Sequence, residues 1–139
     1  MEKIQVRIGW SENNYSCVAD NKALNGIIVV THKTLDGLKK AFQESLQFHI
    51  EGCLQNGDKL PEWLLKGNYE MEYITEISAL LHSLDGILTR SVIARVSGIN
   101  ERQIRYYAAG IRTPRQMQRN KIVEAIRVIS KELSNIAVL

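Results

Sequence analysis

The sequence predicts an α+β module followed by an all-helical domain, with the boundary placed between residues 1–75 and 76–139. Three observations carry that prediction. Apolar and polar residues alternate with period two near the start; one amphipathic helical stretch and a further alternating stretch follow; and beyond Ile74 every apolar pattern takes the three-to-four spacing of helices.

The first module can be justified element by element. Ile4, Val6, Ile8 and Trp10 alternate with Lys3, Gln5, Arg7 and Gly9, the pattern of a half-buried strand. Ser11 to Asn14 is a polar turn cluster, and Tyr15 to Ala19 resumes β-favouring residues, which predicts a hairpin with a loop of about four residues. Asp20, Asn21 and Asn25-Gly26 break the chain before the apolar run Ile27 to Thr31, whose continuity predicts a strand central in its sheet. Thr34 is a suitable N-cap for a helix whose apolar positions Leu35, Leu38, Phe42, Leu46, Ile50 and Cys53 share one face, ending between Gly52 and Gly57. Asn56 to Pro61 carries the breakers of a surface linker. Tyr69, Met71 and Tyr73 then alternate with Glu70 and Glu72 as a fourth strand, with the aromatic side read as its core face. The module is ββ-β-α-β.

The second part is punctuated by caps. Ile77, Leu80, Leu81 and Leu84 form a short helix stopped at Asp85-Gly86; Thr89 caps the next, which Gly98 ends; Asn100 caps Glu101 to Ala109, closed by Gly110. Thr113-Pro114-Arg115-Gln116 has the form of a capping box, and Ile122, Ile126, Ile129 and Leu133 line one face of a long last helix.

Composition narrows the function classes. The 139 residues are 45% hydrophobic and 24% charged, as in a globular chain. The longest apolar stretch, Ile27 to Val30, is far below the roughly 18 residues of a membrane span, and Met1-Glu2-Lys3 opens no signal peptide, so a cytoplasmic location without membrane attachment is expected. Cys17 and Cys53 lack Cys-x-x-Cys spacing and are expected as buried free thiols. The formal charge of +3 conceals a gradient: residues 1–70 carry eight Lys/Arg and nine Asp/Glu, residues 71–139 ten and six. Between Leu88 and Lys121 eight cations oppose Glu101 alone, net +7, which points to a polyanionic partner.

That basic stretch also has the spacing of a helix-turn-helix. Ala94 falls where only a small side chain fits between crossing helices, Gly98 four residues later at the turn, and Ile93, Ile99, Ile104 and Tyr107 at the positions that hold the pair together. With Ile104 and Tyr107 inward, Arg102, Gln103, Arg105 and Tyr106 face out. Arg pairs bidentately with guanine and Gln with adenine, so these four are the expected base-reading residues, while Arg90, Arg112 and Arg115 near helix starts and in the following loop are expected on phosphates. No catalytic, metal or cofactor site is predicted. His49 and Cys53 stand four apart on one helix, read as a packed pair, and Asp20, Asp36 and Glu44 do not fall at the ends of adjacent strands as a metal-dependent nuclease needs.

Over nearly its whole length the chain resembles the HicB antitoxin family. The resemblance is carried by the hairpin around Trp10-Ser-Glu-Asn-Asn-Tyr15, the strand Gly26 to Thr31, the helix start Thr34-Leu-Asp-Gly37, and Leu46-Gln-Phe-His-Ile-Glu-Gly52 followed by Gly57-Asp-Lys-Leu-Pro61. In the second half, Thr89 to Asn100 and Gly110-Ile-Arg-Thr-Pro114 resemble a lambda-repressor-type helix-turn-helix. The resemblance implies a truncated RNase H-like module that caps a HicA-type toxin, an mRNA-cleaving ribonuclease, joined to a domain that binds the operator of its own gene pair as a homodimer or larger assembly. It implies no enzymatic activity. Residues Asp20 to Gly26 depart from the Pro-Gly-Cys type of turn common in that family. A stand-alone regulator with a ligand- or protein-sensing first module is the alternative.

Overall fold

The computed structural model describes residues 1–139 as two compact units, Met1–Glu76 and Ile77–Leu139. The division falls one residue after the boundary read from the sequence.

The first unit is a four-stranded mixed sheet with a helix on one face. Its elements are β1 (Glu2–Ser11), β2 (Asn14–Asn21), β3 (Gly26–His32), α1 (Leu35–Gln55), α2 (Glu62–Leu65) and β4 (Tyr69–Thr75), in the sheet order β3-β2-β1-β4. β1 pairs antiparallel with β2 (Arg7 opposite Val18) and parallel with β4 (Ile4 opposite Met71, Val6 opposite Tyr73). A parallel partner cannot be reached by a tight turn, so the chain crosses over through α1 before β4. The β1–β2 loop is tighter than the predicted four residues. Glu12 and Asn13 alone connect the strands, both with positive φ (52° and 64°), the two-residue turn whose twist matches a hairpin.

Alternation becomes burial directly. Ile4, Val6 and Ile8 of β1, Tyr15, Cys17 and Ala19 of β2 and Ile28 of β3 point to the covered face, where Leu38, Phe42, Leu46, Ile50 and Cys53 of α1 meet them. At about 1.5–3 kcal/mol for each large side chain fully buried, this layer supplies the unit's main driving force. Thr34 caps α1, its Oγ1 accepting from the Gly37 amide at 3.1 Å. A Cβ at Gly37 would lie 2.0 Å from His32 Cε1, so a larger residue there would displace the His32 ring that lies over the start of α1.

One expectation is corrected in this unit and one element is added to it. β3 is an edge strand, not a central one; its apolar run has Ile28 under α1 but Ile27 and Val29 in solvent at 61% and 62% exposure. The linker after α1 is followed by the short α2, four residues with no period to read, which buries Leu64 and sets Trp63 edge-on against Tyr69 at 6.2 Å. The aromatic side of β4 does face α1, half-buried, with Lys39 Nζ 4.8 Å from the Tyr73 ring centroid.

The second unit comprises α3 (Ile77–Ser83), α4 (Arg90–Ser97), α5 (Glu101–Ala109) and α6 (Gln116–Ser134). Its core joins Ile77, Leu81, Ile93, Ala94, Ile99, Ile104, Tyr107, Ala108 and Ile122. Thr89 Oγ1 accepts from the Val92 amide at 3.1 Å and Asn100 Oδ1 from the Arg102 amide at 2.8 Å, so both caps function as their residue types predict. Gly98 has φ +76°, a left-handed conformation that ends α4 where the chain must turn. The capping box at Thr113 does not form: α6 begins at Gln116 with Arg115 at the cap and no side-chain cap bond, while Pro114 is buried. Burial of the proline ring offsets the loss of a local box worth about 1 kcal/mol. Leu133, expected on the packed face of the last helix, is exposed, because burial along α6 fades after Ile122 and Ala125. No helix is long and apolar enough to cross a membrane.

Replacing Phe42 with Ala should lower the unfolding free energy of the first unit by about 3–5 kcal/mol in urea titrations, while Ile87→Ala, at an exposed position, should change stability by no more than about 0.5 kcal/mol.

Candidate nucleic-acid interface

α5 is amphipathic over nine residues. Ile104, Tyr107 and Ala108 are buried against α3 and α4, and the remaining face has Arg102 and Arg105 exposed and Gln103 and Tyr106 partly so. The Gly98 turn fixes this orientation, since Ala94 on α4 and Ile99 in the turn pack against the same core. Ser91 Oγ donates to Glu101 Oε1 at 2.7 Å, joining the first turns of α4 and α5 and occupying the only acid of the basic stretch.

An open cleft of about 920 Å³ runs along the outward side of α5, lined among others by Asn100, Arg102, Arg105, Tyr106, Arg112 and Lys121. Gln103 does not project freely into it. Its Nε2 donates to Tyr107 Oη at 2.9 Å and its Oε1 accepts from Arg112 Nη1 at 3.0 Å. The Arg112 guanidinium also lies over the Tyr106 ring, 5.0 Å from the centroid, so Gln103, Tyr106, Tyr107 and Arg112 form one linked group. Arginine held in this way is ordered before any ligand arrives, which lowers the entropy cost of binding an anion.

The seven residues singled out from the sequence are therefore distributed unequally. Arg102, Gln103, Arg105, Tyr106 and Arg112 come together in the cleft. Arg90 lines an adjoining hollow with Thr89, Ser91 and Arg105, where its Nη2 donates to both Asp85 carboxylate oxygens at 3.4 Å. Arg115 lies outside both, exposed at the start of α6. Sequence reasoning missed Gln118 and Lys121, which α6 brings to the cleft; Gln118 Oε1 is enclosed there and makes no hydrogen bond. Lys121 contributes to the charge excess, and the helical spacing from Gln118 is the signal that places both on one side of α6.

Below the cleft, His82 ties α3 to α5. Its Nε2 donates to the Ala108 carbonyl at 2.9 Å, and its Nδ1 lies 3.4 Å from Asp85 Oδ2. Burial disfavours the imidazolium and, with Arg90 nearby, holds this histidine below its ordinary 6.5 although Asp85 and the Ala108 bond oppose the shift. The two cysteines are both buried free thiols, and burial pushes Cys17 up to about 11 and raises Cys53, which favours the protonated thiol in both. His49 Nε2 donates to the Leu24 carbonyl at 2.5 Å and lies 3.6 Å from Cys53 Sγ, an arrangement that ties α1 to the chain before β3. Asp20 sits on the uncovered face of the sheet whereas Asp36 and Glu44 are exposed on α1, across the sheet from it; these carboxylates do not converge.

Comparison with protein-family models, curated proteins and solved structures returns no match for this chain.

Because the folded state holds His82 below its ordinary value, it binds fewer protons than the unfolded chain as pH falls through 6.5. Stability of the helical unit should therefore fall on acidification from pH 7.5 to 5, and His82→Gln should flatten that slope in thermal unfolding followed by circular dichroism.

Proposed function

We propose that the chain is a DNA-binding autorepressor and the antitoxin of a toxin–antitoxin pair, with α5 as the recognition helix and the first unit as the part that binds protein. The observation that carries the DNA half is the coincidence of the net +7 stretch with the outward face of α5, which packing leaves uncovered. An α-helix bearing arginines fits the major groove. Arg102 and Arg105, the freest of the outward side chains, are the base readers, with Tyr106 against the sugar-phosphate edge or a thymine methyl.

The group built on Arg112 modifies one role. Gln103, engaged by Tyr107 and Arg112, acts by holding Arg112 toward a phosphate unless DNA displaces those bonds. Lys121, Arg90 and Arg115 supply further phosphate contacts, which give affinity and register without sequence information. On this reading α4, the Gly98 turn and α5 are a helix-turn-helix. Such proteins read palindromes as dimers. Exposed Val96, Met117 and Val128, beside one another on α4 and α6, offer that assembly an apolar surface.

The antitoxin half rests on the resemblance to HicB. Support comes from the strand order β3-β2-β1-β4 with β1 parallel to β4 and a helix between β3 and β4, the arrangement expected of a truncated RNase H-like module. The partner is then a small HicA-type ribonuclease encoded beside this chain.

Mobility-shift titration against the chain's own upstream region should show affinity falling steeply with salt, by a log–log slope of about −0.9 per phosphate neutralised. Arg102→Ala should weaken operator binding by about 1–3 kcal/mol and relax preference at one base pair, whereas Arg115→Ala should weaken all duplexes alike. Salt-independent or absent binding contradicts the DNA half. Co-expression tests the other half: a neighbouring reading frame that is toxic alone and co-purifies with this chain supports the antitoxin, and a neighbour that does neither favours the stand-alone regulator.

A further inference from the structure

We propose that the free edge of β3, with the flank of α1 beside it, is a two-fold surface on which a second copy of this chain docks. The inference concerns the first unit alone and does not depend on the DNA reading.

β3 is the outer strand of the sheet, seven residues long, with one row of backbone groups unpaired. Natural edge strands are guarded by Lys, Glu, Asp or Pro, or by a bulge. Gly26-Ile-Ile-Val-Val-Thr-His32 has none of those residues, and its ladder with β2 runs unbroken from Tyr15–His32 to Asn21–Gly26. The opposite edge differs: β4 carries Glu70 and Glu72, which Lys3 Nζ approaches at 3.8 and 4.0 Å. Beside the unguarded edge lies a groove lined by Ile27, Val29, Ser45, Phe48, His49 and Gly52, and Phe48 on α1 is 79% exposed. An apolar strand and an exposed phenylalanine sharing one groove form a surface that a further apolar surface would cover.

Three features select a copy of this chain as the occupant. First, the strand is self-complementary. Paired antiparallel about Val29, it sets Val29 against its counterpart and Ile27 against Thr31 on the open face, with Ile28 against Val30 beneath the helices, and no like charges meet. Second, α1 runs antiparallel to β3, because His32 sits over Gly37 at one end and His49 over Gly26 at the other. The same two-fold axis therefore lays the two α1 helices side by side in opposite directions. Lys39 faces Tyr73 of β4 at the far edge of the sheet; without it residues 33–40 carry Lys33 and Lys40 against Asp36, net +1, and residues 41–58 carry Glu44, Glu51 and Asp58 with no Lys or Arg, net −3. Antiparallel helices bring the positive start of each toward the negative end of the other. Third, the flank of α1 toward β3 sets the exposed Phe48 among the small residues Ala41, Ser45 and Gly52, which leaves open space beside the ring for its counterpart to fill. A Cβ at Gly52 would meet nothing within 4 Å, so the unit's own packing does not call for a glycine that weakens its helix.

The test uses the full-length protein. Val29→Cys places a thiol on the axis within reach of its counterpart, and mild oxidation should give a disulfide-linked dimer on a non-reducing gel; Lys59→Cys, exposed in the loop after α1, should stay uncrosslinked, and the native thiols are buried. Val29→Arg sets two guanidinium groups against each other at a side chain that is in solvent in the monomer. Its mass by sedimentation equilibrium should fall to half that of the wild type, with an unchanged circular dichroism spectrum. The proposal is overturned if Val29→Cys crosslinks no faster than Lys59→Cys, or if Val29→Arg keeps the wild-type mass.

Discussion

The functional reading depends on one packing constraint: a nine-residue helix must bury Ile104, Tyr107 and Ala108 against Ile93 and Ala94 across a turn that Gly98 makes possible. With a period of 3.6 residues, burying those three leaves positions 102 and 106 opposite the core and 103 and 105 on its two flanks. The arginines are displayed because the core allows no other orientation. Gln103 and Tyr106 are used as well, since they reach across to Arg112 and hold it at the mouth of the cleft. A change at Ala94 or Gly98 would thus alter the outward face without touching it.

The first unit works under a different constraint, in that a four-stranded sheet has a single long helix to cover it. One face becomes the core and the other stays open, with Lys3, Gln5, Arg7, Val18, Asp20 and Glu70 among the residues on it. Closing the sheet into a larger layered fold would need elements this unit lacks. What remains is two edges of unlike character, one charged and one apolar.

Much of this was legible in the sequence because local physics decided it. The alternation of β1, the stripe of α1, the caps Thr89 and Asn100 and the left-handed Gly98 and Gly110 all follow from residue type and spacing, and the structure realises each. The departures arise where tertiary context overrides a local signal. A continuous apolar run reads as a strand buried on both faces, and nothing local distinguishes it from an edge strand with an apolar open face, so the sequence alone points β3 to the centre. The box at Thr113 competes with burial of Pro114 and loses. The interface shows the same division. Outward positions of α5 could be read from its period, but the bonds that restrain Gln103 and the arrival of Gln118 and Lys121 from α6 come from helices meeting in space.

The most direct test of the account is amide chemical-shift mapping of the labelled full-length chain as a duplex carrying its own operator is added. The account predicts perturbations concentrated on Asn100–Tyr106, Arg112 and the start of α6 through Lys121, with Met1–Glu76 unaffected at low DNA occupancy. Perturbations centred on the sheet unit, or none along α5, would contradict it.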